Sequence, residues 1–203
     1  MAKKNIGILA SVSWNSNGWT GSSTDKDRST SNFAHVKAAN WTHEDLNFGH
    51  LKYPAEEDGY YIGYVPHFNR LPSKEESKNL EIVFLKSSDP VSLKTYVVGF
   101  YFLPVLGKFI RDAEHEDFDD YDWGNMKSLP ENIIRLKEPL EISDTICALR
   151  GYLPKGKKLG KMGYNYLDYD SVMKLLDSAT DLNSSTKIKS IKYHFLKEPS
   201  RYM

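Results

Sequence analysis

The chain is poor in cysteine, in long apolar runs and in net charge, and each shortage excludes a class of protein. Its one cysteine, Cys147, excludes a disulfide framework and a zinc site built from several thiolates, so we expect an intracellular protein. The N-terminal apolar run, IGILASV, is far shorter than the ~20 residues that a membrane-spanning helix needs. It also lacks a small-residue cleavage site, so the sequence predicts a cytoplasmic protein without a targeting segment.

Positive and negative charges balance over the whole chain but separate along it. Residues 1–149 hold 16 basic and 22 acidic side chains, whereas residues 150–203 hold 11 basic and 5 acidic ones. The contrast is sharpest between the acidic segment 111–122 (RDAEHEDFDDYD) and the basic segment 150–161 (RGYLPKGKKLGK). This distribution argues against general coating of nucleic acid but allows a local face that contacts phosphates, and two solvated loops are the alternative.

The pattern of apolar and turn-forming residues predicts an α+β fold, with a curled, mostly antiparallel sheet or small β-barrel flanked by helices. Short segments rich in β-branched and aromatic residues predict strands. These segments are 6–12, 59–68, 79–87, 95–104, 142–153 and 188–196, with 79–87 and 95–104 as neighbouring antiparallel strands. Helices are predicted over 168–180, behind an aspartate cap, and near Thr42, where a capping box begins.

Motifs for catalysis and for metal or nucleotide binding are incomplete. The segment 151–158, GYLPKGKK, resembles a phosphate-binding loop, but Lys158 stands where a magnesium-ligating hydroxyl is needed and no helix is predicted to follow. The spacing of the first three histidines matches no compact metal site. The acidic stretch 115–120 lacks the glycine turn and terminal glutamate of a calcium loop. We therefore expect a protein that is not an enzyme and carries no cofactor or metal.

The segment 13–21, SWNSNGWTG, places two tryptophans among turn-forming residues, and the polar stretch that starts there predicts one long loop over 15–32. Tryptophan faces at a cleft can stack on a nucleobase, and asparagine side chains can bond a base edge. In the alternative, Trp14 caps the core and Trp19 packs beneath the loop. Composition alone leaves both interpretations open.

Several segments carry a family resemblance. They are IGILASVSWNSNGWTG, SNFAHV, LNFGH, the pair LEIVFLKSSD and TYVVGFYFLP, and the later GKMGYNYLD. Together they resemble the EVE and YTH branch of the PUA-like superfamily, whose members read modified bases. The likeness is greatest to the N-terminal DNA-binding modules of McrB-type subunits of modification-dependent restriction systems. It covers roughly residues 1–105 and the stretch 160–168.

The resemblance implies a DNA-binding reader that flips a methylated base, N6-methyladenine by preference, into an aromatic cage. Carried over by motif position, Trp19 is the first cage candidate. The other candidates for the cage and the base edge are Trp14, Asn15, Asn17, Trp41, Phe33 and Asn47. The candidate phosphate-binding residues are Arg150, Lys155, Lys157, Lys158 and Lys161. An RNA reader, a magnesium-dependent nuclease built on 112–122 and a protein-interaction module with aromatics in its core are the alternatives.

The same resemblance predicts the division of the chain. A reader domain would span 1–183, and 184–203 would be a C-terminal extension or linker. A complete McrB-type subunit also carries an AAA+ GTPase domain and acts with a nuclease subunit. Because no complete phosphate-binding loop is present, the resemblance implies either a stand-alone reader or the N-terminal part of a larger subunit.

Overall fold

The computed structural model describes residues 4–31, 34–38, 42–69, 71–111, 123–160 and 163–202. The strands are β1 (Gly7–Ser11), β2 (Tyr61–Gly63), β3 (Ile82–Ser88), β4 (Thr95–Phe102), β5 (Val105–Ile110), β6 (Trp123–Ser128), β7 (Ile133–Ile142) and β8 (Tyr164–Leu167). The α-helices are α1 (Asp25–Thr30), α2 (Ala34–Ala38), α3 (Lys74–Ser77), α4 (Asp144–Arg150), α5 (Tyr169–Asn183) and α6 (Thr186–Lys197). Short 3-10 helices include His43–Leu46 and Gly49–Leu51.

The strands form two sheets. The larger has the order β7-β4-β3-β1-β8, and the smaller has the order β2-β6-β5. All their pairings are antiparallel except that of β1 with β3, which is parallel. The predicted α+β class and mostly antiparallel pairing are confirmed. The described strands do not close into a barrel, which was the other form that the sequence allowed.

The larger sheet is the middle layer of the fold, and apolar side chains cover both of its faces. In β3, Ile82 and Phe84 belong to one core cluster, whereas Val83 and Leu85 belong to the other. The helices α5 and α6 pack against the first face, and the 3-10 segment around Phe48 packs against the second. This arrangement explains why residues 82–85 of β3 are all apolar and do not alternate with polar residues.

Two of the predicted strands are helices, and both predictions were wrong. Over 142–153, β7 ends at Ile142 and α4 follows, with the Ser143 hydroxyl accepting from the Ile146 amide and Gly151 ending the helix at φ 69°. The β-branched residues there favour a strand, but the serine cap and the terminal glycine favour a helix. Over 188–196 the chain forms α6, whose buried residues recur at helical spacing. The predicted helix over 168–180 is confirmed as α5.

The C-terminal segment 184–202 packs onto the rest of the chain. From α6, Ile188, Ile191 and Phe195 lie in the same core cluster as the residues of α5. Tyr202 donates its hydroxyl proton to the Glu81 carboxylate at 2.8 Å. Among the described residues, no helix has the length and apolar character to cross a bilayer.

Candidate nucleic-acid interface

The indole of Trp19 lies inside the fold. Only 5% of the residue is exposed, and the indole N–H donates to the Ser13 carbonyl oxygen at 2.9 Å. The ring meets the edges of Phe48 and Trp14 at centroid distances of 6.2 and 5.9 Å. Its carbonyl oxygen also accepts from the Phe48 amide at 2.8 Å. In this position the ring is part of the second core cluster.

The Asn15 side chain holds the loop in shape from within. It is 1% exposed, and its carbonyl oxygen accepts from the amides of Asn17 and Trp19. Its NH₂ group donates to the Gly21 carbonyl oxygen at 2.9 Å and to an Asp45 carboxylate oxygen at 2.7 Å. Because all of these bonds are internal, the four-way hydrogen bonding of this amide is used for loop structure.

Two buried acids from the 3-10 helix His43–Leu46 anchor the same loop. Asp45, which is fully buried, accepts from Asn15, from the Ser23 hydroxyl and from the Thr42 amide. Glu44 accepts from the Ser13 amide at 3.1 Å. Burial raises the pKa of the Glu44 carboxyl to about 7. The short helix predicted near Thr42 is present as this 3-10 helix, and the Asp45 carboxylate makes its half of the predicted capping box by accepting from the Thr42 amide at 3.1 Å.

The other described cage candidates occupy separate positions. Trp14 is half-buried and its ring contacts Tyr96 at 6.4 Å between centroids. Asn17 is exposed, and its NH₂ group donates to the Ser22 carbonyl oxygen at 2.7 Å. The loop predicted over 15–32 is partly helical, since α1 begins at Asp25 behind a Thr24 capping box. Trp41, Phe33, Lys161 and the segment 112–122 lie outside the described residues.

A cluster of three aromatic rings lies in the smaller sheet and its border. Tyr64, directly after β2, meets Trp123 at the start of β6 edge-on, with 5.2 Å between ring centroids. His43 lies 4.9 Å from Tyr64 and 5.0 Å from Trp123 by the same measure. The ammonium of Lys108 in β5 stands 5.4 Å from the Trp123 ring centroid. We refer to Tyr64, Trp123 and His43 as the aromatic cluster.

Two asparagine side chains fix the backbone that carries Tyr64. The Asn47 amide donates to the Tyr64 carbonyl oxygen at 2.9 Å and accepts from the Tyr64 N–H at 2.7 Å. The Asn125 amide does the same for Val65, at 2.8 Å in both directions. Asn47, a base-edge candidate by sequence, is therefore fully buried and positions a member of the cluster.

The aromatic cluster combines a buried and two more accessible members. Tyr64 is buried, whereas Trp123 and His43 are half-buried and Lys108 is exposed. None of the three residues of the aromatic cluster was a candidate for the cage or the base edge from the sequence. The available signal was the placement of Trp123 directly after the acidic segment, at the first residue of an antiparallel strand.

Three of the predicted phosphate-binding lysines lie together. Lys155, Lys157 and Lys158 are exposed and line a cleft of about 510 Å³, which Lys174 of α5 also lines. Arg150, at the end of α4, lines a different cleft. We call residues 153–160 the lysine loop.

The backbone of the lysine loop is fastened by side chains. Asp144 accepts from the Leu159 amide at 2.7 Å, and Asn165 donates to the Lys158 carbonyl oxygen at 2.9 Å. Lys86, which is 4% exposed, donates to the Gly160 carbonyl oxygen at 2.8 Å. Residues 151–160 form turns and extended backbone, so this segment lacks the helix that a nucleotide-binding loop requires.

Two buried titratable groups, Lys86 and Cys147, lie near this loop. Burial lowers the pKa of the Lys86 ammonium to about 8 and raises that of the Cys147 thiol to about 11. A thiol with so high a pKa is a poor nucleophile near neutral pH. Within the part of the chain that the structure describes, no three metal-ligating side chains come together.

Comparison with protein-family models, with curated proteins and with solved structures finds no significant match to the chain. Function is therefore inferred from the geometry of the aromatic cluster and the lysine loop.

Proposed function

We propose that the protein is a DNA-binding reader of a methylated base, with N6-methyladenine preferred, and that a flipped base docks at the aromatic cluster. The proposal keeps the function that the family resemblance implies and assigns the base to Trp123, Tyr64 and His43. It includes a role as the targeting module of a modification-dependent restriction system, alongside an AAA+ GTPase domain and a nuclease subunit.

One observation carries the proposal: a half-buried tryptophan ring stands at right angles to a buried tyrosine ring, 5.2 Å away. The two perpendicular rings form an aromatic corner. The ring centroids are too close for a base to slide between them, so a base would stack on the accessible Trp123 face with its edge against the cluster. An aromatic corner of this kind suits a flat base that bears a methyl group.

The energies are of the right size for a reader. Flipping a nucleotide costs a few kcal/mol, and stacking on an aromatic ring returns about 1–3 kcal/mol per base. Burying one added methyl group contributes about 0.8 kcal/mol, which is about a fourfold preference for the methylated base. The remaining affinity would come from phosphates that contact Lys155, Lys157 and Lys158.

Two asparagine side chains hold the backbone of the aromatic cluster in place. Asn47 and Asn125 each bond both polar groups of one residue in the strand extension that carries Tyr64. The position of the tyrosine is therefore set before any ligand arrives, which lowers the ordering entropy that binding must overcome.

The test is a fluorescence polarisation titration of two DNA duplexes that differ in a single N6-methyl group. We expect the methylated duplex to bind about fourfold more tightly or better. In Trp123→Leu this preference should disappear while the thermal midpoint stays close to that of the wild type. Equal affinity of the wild type for both duplexes would refute the proposal that the protein reads a methylated base.

Trp14→Leu is the matched control, because Trp14 is also a half-buried tryptophan but lies at Tyr96 and outside the cluster. This variant should keep the methyl preference. If it loses the preference while Trp123→Leu keeps it, the base docks at the segment 13–21 and the assignment to the aromatic cluster is wrong.

A further inference from the structure

A second groove runs along the edge strand of the larger sheet. It has a volume of about 490 Å³ and lies beside β8, the last strand in the order β7-β4-β3-β1-β8. Its walls include Tyr164 and Tyr166 from β8, and Lys155 and Lys157 from the lysine loop. Neither tyrosine belongs to the aromatic cluster, so the rings of this groove differ from those of the proposed base site, whereas Lys155 and Lys157 belong to both proposed surfaces.

The two tyrosines stand on one face of β8. They are two residues apart in a strand, so their side chains point the same way. Their rings meet edge-on at a centroid distance of 5.4 Å, and Tyr164 is further supported by Phe68 at 5.5 Å. Both tyrosines are half-buried, pack against the second core cluster and line the groove.

The lysines of the groove come from a backbone that is already fixed. Asn165 lies between the two tyrosines, accepts from the Gly160 amide at 3.1 Å and donates to the Lys158 carbonyl oxygen. The strand that supplies the rings therefore also holds the loop that supplies the charges. Asp168 is the acid among the described residues of the groove, and its carboxylate accepts from the Ser171 amide as the cap of α5.

We propose that this groove binds a segment of single-stranded DNA, with a base stacked on Tyr166 and the adjoining phosphates on Lys155 and Lys157. Aromatic rings beside exposed lysines are the combination by which proteins bind unpaired strands with little sequence preference. An acidic peptide would satisfy the lysines but would make no use of two aromatic faces. The choice of DNA over RNA rests on the proposed function, whereas the stacking and charge arguments stand without it.

The groove is tested with a fluorescein-labelled oligothymidylate, titrated against the intact chain by fluorescence anisotropy. This probe contains no adenine, so its binding is independent of the methyl-reading proposal. Tyr166→Leu should weaken binding about tenfold, because the stacked base is lost. Tyr166→Phe should bind like the wild type, because its ring is kept.

The lysines have their own readout. Replacing Lys155 and Lys157 with alanine should lower the slope of log affinity against log salt by about 1.4, since each phosphate on a single strand contributes about 0.7.

Tyr193→Leu is the matched control for Tyr166→Leu. Tyr193 is 60% exposed on α6, with the Lys197 ammonium 5.1 Å from its ring centroid, and its replacement should leave the affinity for oligothymidylate unchanged.

Three results would overturn the proposal. The first is unchanged affinity in Tyr166→Leu. The second is equal loss in Tyr166→Leu and Tyr166→Phe, which would replace stacking with a hydroxyl contact. The third is competition by polyglutamate as strong as that by unlabelled oligothymidylate, which would make the groove a general anion site. Tighter binding of oligouridylate would overturn the assignment to DNA.

Discussion

Trp19 and Trp123 show how differently one fold can use the same side chain. Trp19 comes from a polar loop, yet it is 5% exposed and its indole N–H is bonded to the Ser13 carbonyl oxygen. Trp123 comes from a strand, yet it remains half-buried beside an exposed lysine. The position of a tryptophan in a loop therefore does not predict that its ring is exposed. Here the hydrogen bond between the buried side chains of Asn15 and Asp45 holds the loop against the core, and the Trp19 ring is buried as a result.

The largest effect that tests this contrast is on stability. Trp19→Leu leaves a void in the second core cluster and an unpaired Ser13 carbonyl oxygen, so the free energy of unfolding should fall by about 3 kcal/mol. Trp123→Leu should lower it by about 1 kcal/mol or less. Urea denaturation of both variants measures the difference. Equal losses would mean that the two tryptophans are equally built into the core.

A second test uses pH to probe the anchor of the loop. The pKa of the Glu44 carboxyl is raised to about 7, mainly by burial, and the neighbouring Asp45 carboxylate raises it further. The folded state then binds the Glu44 proton more tightly than the unfolded state does. Stability from this group is present below its ordinary pKa of 4.5 and is lost as the pH rises through 7.

Glu44→Gln removes this dependence and keeps an acceptor for the Ser13 amide. Between acid and mildly basic pH, the wild type should lose up to about 3 kcal/mol more free energy of unfolding than the variant does. Denaturation at a series of pH values measures both curves. Parallel curves would show that the Glu44 carboxyl titrates normally in the folded protein.

The smallest effect concerns where duplex DNA touches the surface. Replacing Lys155, Lys157 and Lys158 together should reduce the salt slope of duplex binding by about 2.7, or 0.9 per phosphate contact, with no change in thermal midpoint. Replacing the exposed Lys187 and Lys189 of α6 is the control and should leave the slope as it is. The reverse pattern would move the phosphate-contacting face to α6.

Much of the sheet could be predicted from the sequence because its strands are apolar on both faces. The pairing of 79–87 with 95–104 followed from composition and the turn between them. The errors at α4 and α6 came from β-branched residues whose local preference was overridden by serine caps and helical packing. The parallel pairing of β1 with β3 has no local signature, because some seventy residues separate the strands.

The proposed site was harder to predict than the fold. Trp14 and Trp19 are prominent in the sequence because their neighbours are polar, but those neighbours turn out to bond each other and Asp45. The aromatic cluster joins residues from three distant segments, and only the tertiary fold brings Tyr64, Trp123 and His43 together. The lysine loop was the easier part, because consecutive charges on a short segment remain close in any fold.

Asn47 and Asn125 show how side-chain amides can replace the hydrogen bonds of a neighbouring backbone segment. A carboxamide presents an N–H donor and a carbonyl acceptor side by side in one plane, and here each of two such side chains pairs with the N–H and the carbonyl of one residue, Asn47 with Tyr64 and Asn125 with Val65. Each amide makes the pair of hydrogen bonds that a residue of a neighbouring strand would make, and the two side chains lie 78 positions apart in the sequence. Neither aspartate nor serine offers this planar pair of complementary groups. The framework of the aromatic cluster thus depends on two amides that follow no hydrophobic period, one of them in the segment LNFGH that carries part of the family resemblance.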